Sequence, residues 1–181
     1  MDKPQTFDTV VAGAGVAGIC ACLAAAHRNM TVALVEKESV IGGVARDCFH
    51  THMAGLFQNN PEVPFAPANP GICLDIYQHL LRTLGNESLT RMGRVSLMAF
   101  DNLSLWRYFE DRLGKSGASF FPESEITGVQ SNENRVLSVQ IKGERDTGQT
   151  LRAETFIDAT GNAVLSRLFS KDDAILEEGD R

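Results

Sequence analysis

Six residues near the start constrain this chain more than any other stretch. Gly13-Ala14-Gly15-Val16-Ala17-Gly18 follows a β-branched run from Asp8 to Ala12 and opens an alanine-rich stretch, Ile19 to Ala26, of high helix propensity. A second β-branched run, Thr31 to Val35, comes next, and Glu36 closes it. Strand, glycine turn, helix, strand and acidic residue together make a βαβ unit with the dinucleotide fingerprint. Each glycine has its own physical reason. Gly13 permits the tight turn, Gly15 lets the backbone approach a pyrophosphate, and Gly18 lets helix and strand pack closely. The helix start then faces the phosphates with its N–H groups and positive dipole end. Glu36 accepts hydrogen bonds from an adenosine ribose, and its charge disfavours a 2′-phosphate there. A Rossmann-like core that binds nothing is the plainer reading of the same residues.

From Thr9 to Ala26 the chain carries no charge, which imitates a membrane span. The regular glycines interrupt it, and Lys3 is the only positive charge before it, offset by Asp2 and Asp8. A leader would want a basic start and a cleavage site. The expectation is therefore a soluble, cytoplasmic protein without a membrane span. With 43% apolar and 22% charged residues, 181 residues can bury a core as one domain and do not fit a disordered chain. The net charge of −6 repels phosphate backbones and argues against nucleic acid as a partner. Four cysteines are too few for a disulfide scaffold.

Two later motifs choose between dinucleotides. Gly42-Gly43 follows Glu36 after the loop Lys37-Glu38-Ser39-Val40-Ile41, and Thr155-Phe156-Ile157-Asp158-Ala159-Thr160-Gly161-Asn162 is an apolar run ending in Ala-Thr-Gly. In this order, over nearly the whole chain, the three motifs resemble the glutathione-reductase-like superfamily of FAD-dependent oxidoreductases. The resemblance implies FAD as cofactor, with the Gly-Gly pair beside the flavin and the Ala-Thr-Gly turn near the adenosine and pyrophosphate. It carries FAD-binding roles onto Gly13, Ala14, Gly15, Val16, Ala17, Gly18, Glu36, Lys37, Gly42, Gly43, Arg46, Ala159, Thr160 and Gly161. Ile157 to Asn162 is also similar to a narrower family of FAD-dependent dehydrogenases of varied substrates.

The fold class expected is α/β: a Rossmann-like parallel sheet with helices and an attached β-meander, all one FAD-binding domain over 1–181. Asn69-Pro70 reads as an N-cap with proline at the first helical position. Ile72, Ile76, Leu80 and Leu84 follow at helical spacing, and Gly85 ends the helix. Arg94 to Phe100 reads as a weak strand, and Leu103 to Leu113 as a helix with Trp106, Phe109 and Leu113 on one face. Trp106 has the size to stack on a flavin, but its spacing favours the core. The meander spans about 118–153, with strands Ile126 to Gln130 and Val136 to Lys142 around the turn Ser131 to Arg135. Leu137, Val139 and Ile141 share one face, Gly143 to Gly148 is a further turn, and a strand returns from Leu151. In the resembled superfamily the strand entering the meander passes the adenine, which singles out Ile126 for a backbone contact.

The stretch Arg46-Asp47-Cys48-Phe49-His50-Thr51-His52 supports three readings. If extended, it turns Cys48, His50 and His52 to one face, where they could ligate a metal but lack a fourth ligand. Alternatively, His50, His52 or Cys48 serves beside the flavin, by moving a proton or attaching the cofactor covalently. In the plainest reading they line a loop. Disulfide reductases of the resembled fold carry two cysteines separated by four residues here. Cys48 has no such partner, and Cys20 and Cys22 diverge by about 200° on one helix, so a dithiol mechanism is not expected.

Full members of the superfamily are about twice as long, as the resemblance implies, with a substrate domain and a late Gly-Asp motif. Gly179-Asp180 is not that motif, since it follows Glu177-Glu178, and Asp172, Asp173, Glu177, Glu178 and Asp180 read as a solvated tail. Two functions follow. One is a dehydrogenase-type oxidoreductase acting on a small molecule, present as a fragment or a subunit that completes its site with a partner chain or missing C-terminal half. The other is a non-catalytic dinucleotide-binding or interaction module.

Overall fold

The computed structural model describes residues 3–58, 60, 62–63, 65, 67–143 and 148–170. The acidic tail with Gly179-Asp180, and most of the Gly143 to Gly148 turn, lie outside the described residues. The chain divides into two compact units: 1–43 with 113–181, and 44–112.

The first unit is built on a six-stranded sheet. Its strands are β1 (Gln5–Ala12), β2 (Val32–Val35), β6 (Ser119–Phe121), β7 (Ser124–Asn132), β8 (Arg135–Gly143) and β9 (Gln149–Asp158), in the order β6-β2-β1-β9-β8-β7. The strands β6, β2, β1 and β9 run parallel; β9, β8 and β7 form the antiparallel meander. β9 belongs to both, because it lies between β1 and β8 and pairs with β8 over 149–152 through one edge and with β1 over 151–158 through the other. The fold is thus the α/β, mostly parallel Rossmann-like sheet with attached meander that the sequence led us to expect.

β1 and β2 read as continuous apolar runs because central parallel strands are covered on both faces. Val10, Ala12, Ala33 and Val35 point into a core shared with Ile126, Val139, Ile141, Leu151 and Leu165. Val11 and Leu34 alternate to the other face, where the helix α1 (Val16–Ala26) buries Ile19, Cys22 and Leu23. Burial pushes the Cys22 thiol up to about 11, so it behaves as a small core hydrophobe.

Leu137 departs from the expected alternation. Gln130 pairs with Ser138 and Ser131 with Val136, which leaves Leu137 as the unpaired residue of a bulge. Leu137 is 41% exposed as a result, while Ser138 is buried, its hydroxyl 3.2 Å from Gln130 Oε1.

The second unit holds the short helix α2 (Val44–Asp47), the strands β3 (His52–Met53), β4 (Leu89–Met92) and β5 (Val95–Ala99), and the helices α3 (Ile72–Leu84) and α4 (Asn102–Ser116), whose last turn passes residue 112. The strands form an antiparallel sheet in the order β3-β5-β4. β5 was legible in the sequence and β4 was not, although Met92-Gly93-Arg94-Val95 carries a hairpin signal, with Gly93 at φ 59°. α3 begins two residues later than the proline suggests. Gly71, at φ 72°, is its N-cap, and the Asp75 N–H donates to Gly71 O at 3.0 Å, so Asn69-Pro70 precedes the helix. Trp106 is 2% exposed, and its Nε1–H donates to Asn102 Oδ1 at 2.8 Å. Trp106 is a core residue with its polar handle satisfied. Among the described residues no helix is long and apolar enough to cross a membrane.

Candidate functional site

Three parallel strands of the first unit end side by side. Ala12 pairs with Val35 on one side and with Asp158 on the other, so β2, β1 and β9 stop at the same level. The chain then continues as Glu36, the glycine turn and Ala159-Thr160-Gly161 respectively. Ligands of open α/β sheets bind in the crevice outside such carboxyl ends, where connections diverge to either side.

The glycine turn is locked from both flanks. Gly13 N–H donates to Val35 O and Ala159 N–H donates to Ala12 O, both at 2.8 Å. A Cβ on Gly13, which sits at φ 91°, would lie 2.6 Å from Ala159 O, and one on Gly18 would lie 1.8 Å from Gly13 O. Glycine at 13 therefore lets the third motif approach the first, and glycine at 18 lets α1 settle onto the turn. Gly15 differs: its backbone is ordinary extended chain, and a Cβ there would meet nothing within 4 Å. Gly15 faces open space at the head of α1, whose first N–H groups have no carbonyl partner within the helix.

The second glycine pair closes on this turn. Gly42 N–H donates to Ala14 O at 2.8 Å, Gly15 and Gly42 form a parallel bridge, and a Cβ on Gly43 would stand 3.5 Å from Gly15 Cα. Gly42 and Gly43 take φ 120° and 53°, values that favour glycine. All three motifs quoted from the sequence thus come together in one unit.

Glu36 is 8% exposed at the end of β2. Its Oε2 accepts the Ala14 N–H at 2.6 Å and its Oε1 accepts the Glu38 N–H at 3.0 Å. A carboxylate offers about four lone-pair sites, so acceptor capacity is left for a ribose. Lys37 is exposed and pairs with Glu38 at 3.5 Å. The Ile126 side chain is in the core. The chain just before it touches the Glu36 stretch: Ser124 N–H donates to Glu36 O at 2.8 Å and Glu123 N–H to Glu38 O at 3.1 Å.

Asp158, which the sequence did not single out, organises the turn of the third motif. Its Oδ1 accepts from the Thr160 N–H (3.2 Å) and hydroxyl (2.7 Å), and its Oδ2 accepts from the Ser166 N–H (2.9 Å) and hydroxyl (3.1 Å). Thr160 Oγ1 in turn accepts the Val164 N–H at 2.9 Å, at the start of the short helix α5 (Val164–Ser170). Burial works against the charged form, but these hydrogen bonds outweigh it and hold the Asp158 carboxyl below its ordinary value. The signal was present, since Asp followed two residues later by Thr is an Asx-turn pattern.

The stretch from Arg46 to His52 belongs to the second unit, and it is helical turn rather than extended chain until His52 enters β3. Cys48 N–H donates to Val44 O, His50 N–H donates to Ala45 O, and Phe49 takes φ 52°. The helical turn breaks the period-2 alternation that would have gathered Cys48, His50 and His52 on one face. Among the described residues no three His, Cys, Asp or Glu side chains are grouped to hold a metal. Cys48, His50 and His52 are exposed; His52 Nδ1 lies 3.0 Å from Thr51 Oγ1, and Arg46 pairs with Glu110 at 3.7 Å.

This geometry fits a dinucleotide. The turn is packed tight where it meets protein and open at Gly15, with an acceptor-rich carboxylate at the adjoining strand end. Gly15→Val should therefore leave the fold intact yet lower ADP affinity by more than about tenfold, since the branched side chain would occupy the open approach. Calorimetric titration beside a melting curve checks both halves.

The profile of the FAD dependent oxidoreductase family matches residues 8–169. A UDP-galactopyranose mutase of Mycoplasma genitalium is 29% identical over 133 residues, covering 66% of this chain and 30% of that protein. A 3-oxosteroid 1-dehydrogenase of Mycobacterium tuberculosis is 51% identical over 39 residues, 22% of this chain and 7% of its own. Among solved structures, that of Thermovibrio ammonificans THI4 superposes with a TM-score of 0.62 at 18% identity, over 94% of this chain and 64% of that one. This chain thus spans less than a third of the length of either curated relative.

Proposed function

We propose, for a chain that belongs to the FAD dependent oxidoreductase family, that the first unit holds the adenosine and pyrophosphate half of FAD in a dehydrogenase-type enzyme acting on a small molecule. The observation that carries this reading is the convergence of the Gly13–Gly18 turn, Gly42-Gly43 and Ala159-Thr160-Gly161 at the carboxyl ends of adjacent parallel strands. The order and spacing of these motifs support placing it in the glutathione-reductase-like superfamily.

In this reading the open face at Gly15, with Val16 and Ala17 heading α1, receives the pyrophosphate. Glu36 orients the ribose, with Lys37 and the β7 strand near Ile126 flanking the adenosine. Gly42-Gly43 borders the flavin side, and Thr160 and Gly161 line the far wall. FAD, when bound, supplies the two-electron redox centre. The chain's own contribution is to bind and orient it. His50, His52 and Cys48, in the second unit, are the chain's candidates to hold or move a proton. We read 1–181 as the N-terminal FAD-binding domain of a longer cytoplasmic flavoprotein, whose C-terminal half or a partner chain completes the site. The short coverage of the curated relatives supports that reading.

The test is a titration of the 181-residue chain with FAD, FMN and ADP, followed by the visible spectrum. FAD and ADP should bind and FMN should not, because the recognisable groups read the adenosine half. FAD should bind weakly to this chain alone and tightly once the C-terminal half is joined. Equal affinity for FMN and FAD would sink the assignment. Colourless nucleotide binding that a joined half does not change would favour the non-catalytic module instead.

A further inference from the structure

We infer that Glu36 is a positioning residue for the glycine turn, bracing it whether or not a ribose is present, in addition to the nucleotide contact proposed above and resting on that reading for its binding consequence. The backbone of Ala14 shows this. Ala14 is fully buried, and both of its backbone groups are taken: its N–H by Glu36 Oε2 at 2.6 Å, its carbonyl by Gly42 N–H at 2.8 Å. Glu36 and Gly42 thus hold the two successive peptide groups on either side of the Ala14 Cα. A buried N–H stripped of its acceptor is more costly than an exposed one, so removing the carboxylate strands the Ala14 N–H in a dry site.

Glu36 is itself rigidly held, as a brace must be. Its own N–H donates to Phe121 O at 2.9 Å, its carbonyl accepts the Ser124 N–H at 2.8 Å, and its second oxygen accepts the Glu38 N–H at 3.0 Å. The Glu36 main chain is thus fixed by the end of β6 and the start of β7, and its carboxylate by the Glu38 N–H, before any ligand arrives. The bond to Ala14 is charge-assisted and short, which puts it among the stronger kinds. It also fixes Gly15, the next residue, which faces the open side. A ligand therefore meets a turn already set in place, and the ribose uses only the lone pairs that the turn leaves over.

The discriminating ligand is ADP without its ribose hydroxyls. If Glu36 acts only on the ribose, substitutions there lose their effect on 2′,3′-dideoxy-ADP. If it braces the turn, the loss persists. Glu36→Ala removes the carboxylate, and Glu36→Asp draws it back by one methylene while keeping charge and fold. Both should weaken dideoxy-ADP binding by about tenfold, the value of one such hydrogen bond, and both should weaken ADP further. Unchanged dideoxy-ADP affinity in Glu36→Asp would overturn the proposal. Hydrogen exchange of the ligand-free chain gives a second readout that needs no nucleotide. The Ala14 amide should exchange at least about tenfold faster in Glu36→Asp, with the β1 amides unmoved. Unaltered Ala14 exchange would equally overturn it. Failure of the parent to bind either nucleotide would remove the cofactor reading and leave the bracing role to be decided by exchange.

Discussion

Gly18→Ala is expected to remove a large share of the protein's stability, about 3 kcal/mol or more, the range of severe overpacking. One methyl group is enough because of what it meets. The new Cβ would stand 1.8 Å from Gly13 O and 3.3 Å from the Ala159 Cβ. The first of these is backbone, which cannot swing aside as a side chain can. Gly13 O belongs to a residue held at φ 91° with its N–H bonded to Val35, so relief requires moving α1 off the sheet. That movement would uncover Ile19, Cys22 and Leu23, each at most 1% exposed. Against a total stability of about 5–15 kcal/mol for a domain, such a loss brings the chain near unfolding at ordinary temperature. Gly15→Ala provides the control. Its backbone suits alanine, which stabilises by limiting the unfolded chain, while the N-cap position prefers glycine, so the two effects leave stability within about 0.5 kcal/mol of the parent. Urea midpoints of the two variants should separate widely. Similar midpoints would mean that the helix–turn contact is looser than its geometry indicates.

That contrast bears on how much the sequence could reveal. GxGxxG with Glu36 beyond it was legible because its meaning is local: strand, turn and helix are neighbours in the chain. Gly42-Gly43 and Ala159-Thr160-Gly161 were legible as motifs, but their contact with the turn depends on strand order, which residue spacing does not encode. The double role of β9, which closes the meander and also flanks β1, is of the same kind. Leu137 went wrong because a bulge resets a period-2 pattern, and nothing in Val136-Leu137-Ser138-Val139 marks where the extra residue falls. The start of α3 shifted because Gly71 could adopt a conformation closed to Asn69. Cys48, His50 and His52 alternate only in an extended chain, and the helical turn around Ala45 and Arg46 removed the premise. Glu36 was singled out for a ligand, while its hold on Ala14 requires knowing that β2 ends level with β1.

Asp158→Asn is expected to loosen the Ala159–Gly161 turn by about 2 kcal/mol at neutral pH, the scale of hydrogen bonds to a charged group. The four donors from Thr160 and Ser166 all point at one carboxylate. Asparagine keeps the shape but turns an N–H₂ group toward one pair of donors, so two acceptor positions become a clash of like partners. The effect should also depend on pH, with a sign that identifies its origin. Burial opposes ionisation, the hydrogen bonds from Thr160 and Ser166 more than offset it, and the folded carboxyl sits below its ordinary value of 3.8. A group with a depressed folded value contributes its full stabilisation above the unfolded value and loses it as pH falls through the folded one. The stability difference between parent and variant should therefore be constant near neutrality and shrink below about pH 4. Asp8, bonded by Thr31, and Asp101, bonded by Ser104, are lowered too, but both remain in the variant and cancel in the difference. Urea unfolding of the two proteins across that interval measures it. A difference that stays flat to low pH would assign the loss to shape rather than to the charge. The turn that Asp158 holds is the one whose Ala159 carbonyl rests where Gly13 lacks a side chain. A loosened turn therefore reaches the glycine loop directly, and ADP affinity should fall together with stability in this variant, as it should not in a variant that weakens the meander at Val139, far along the sheet from the strand ends.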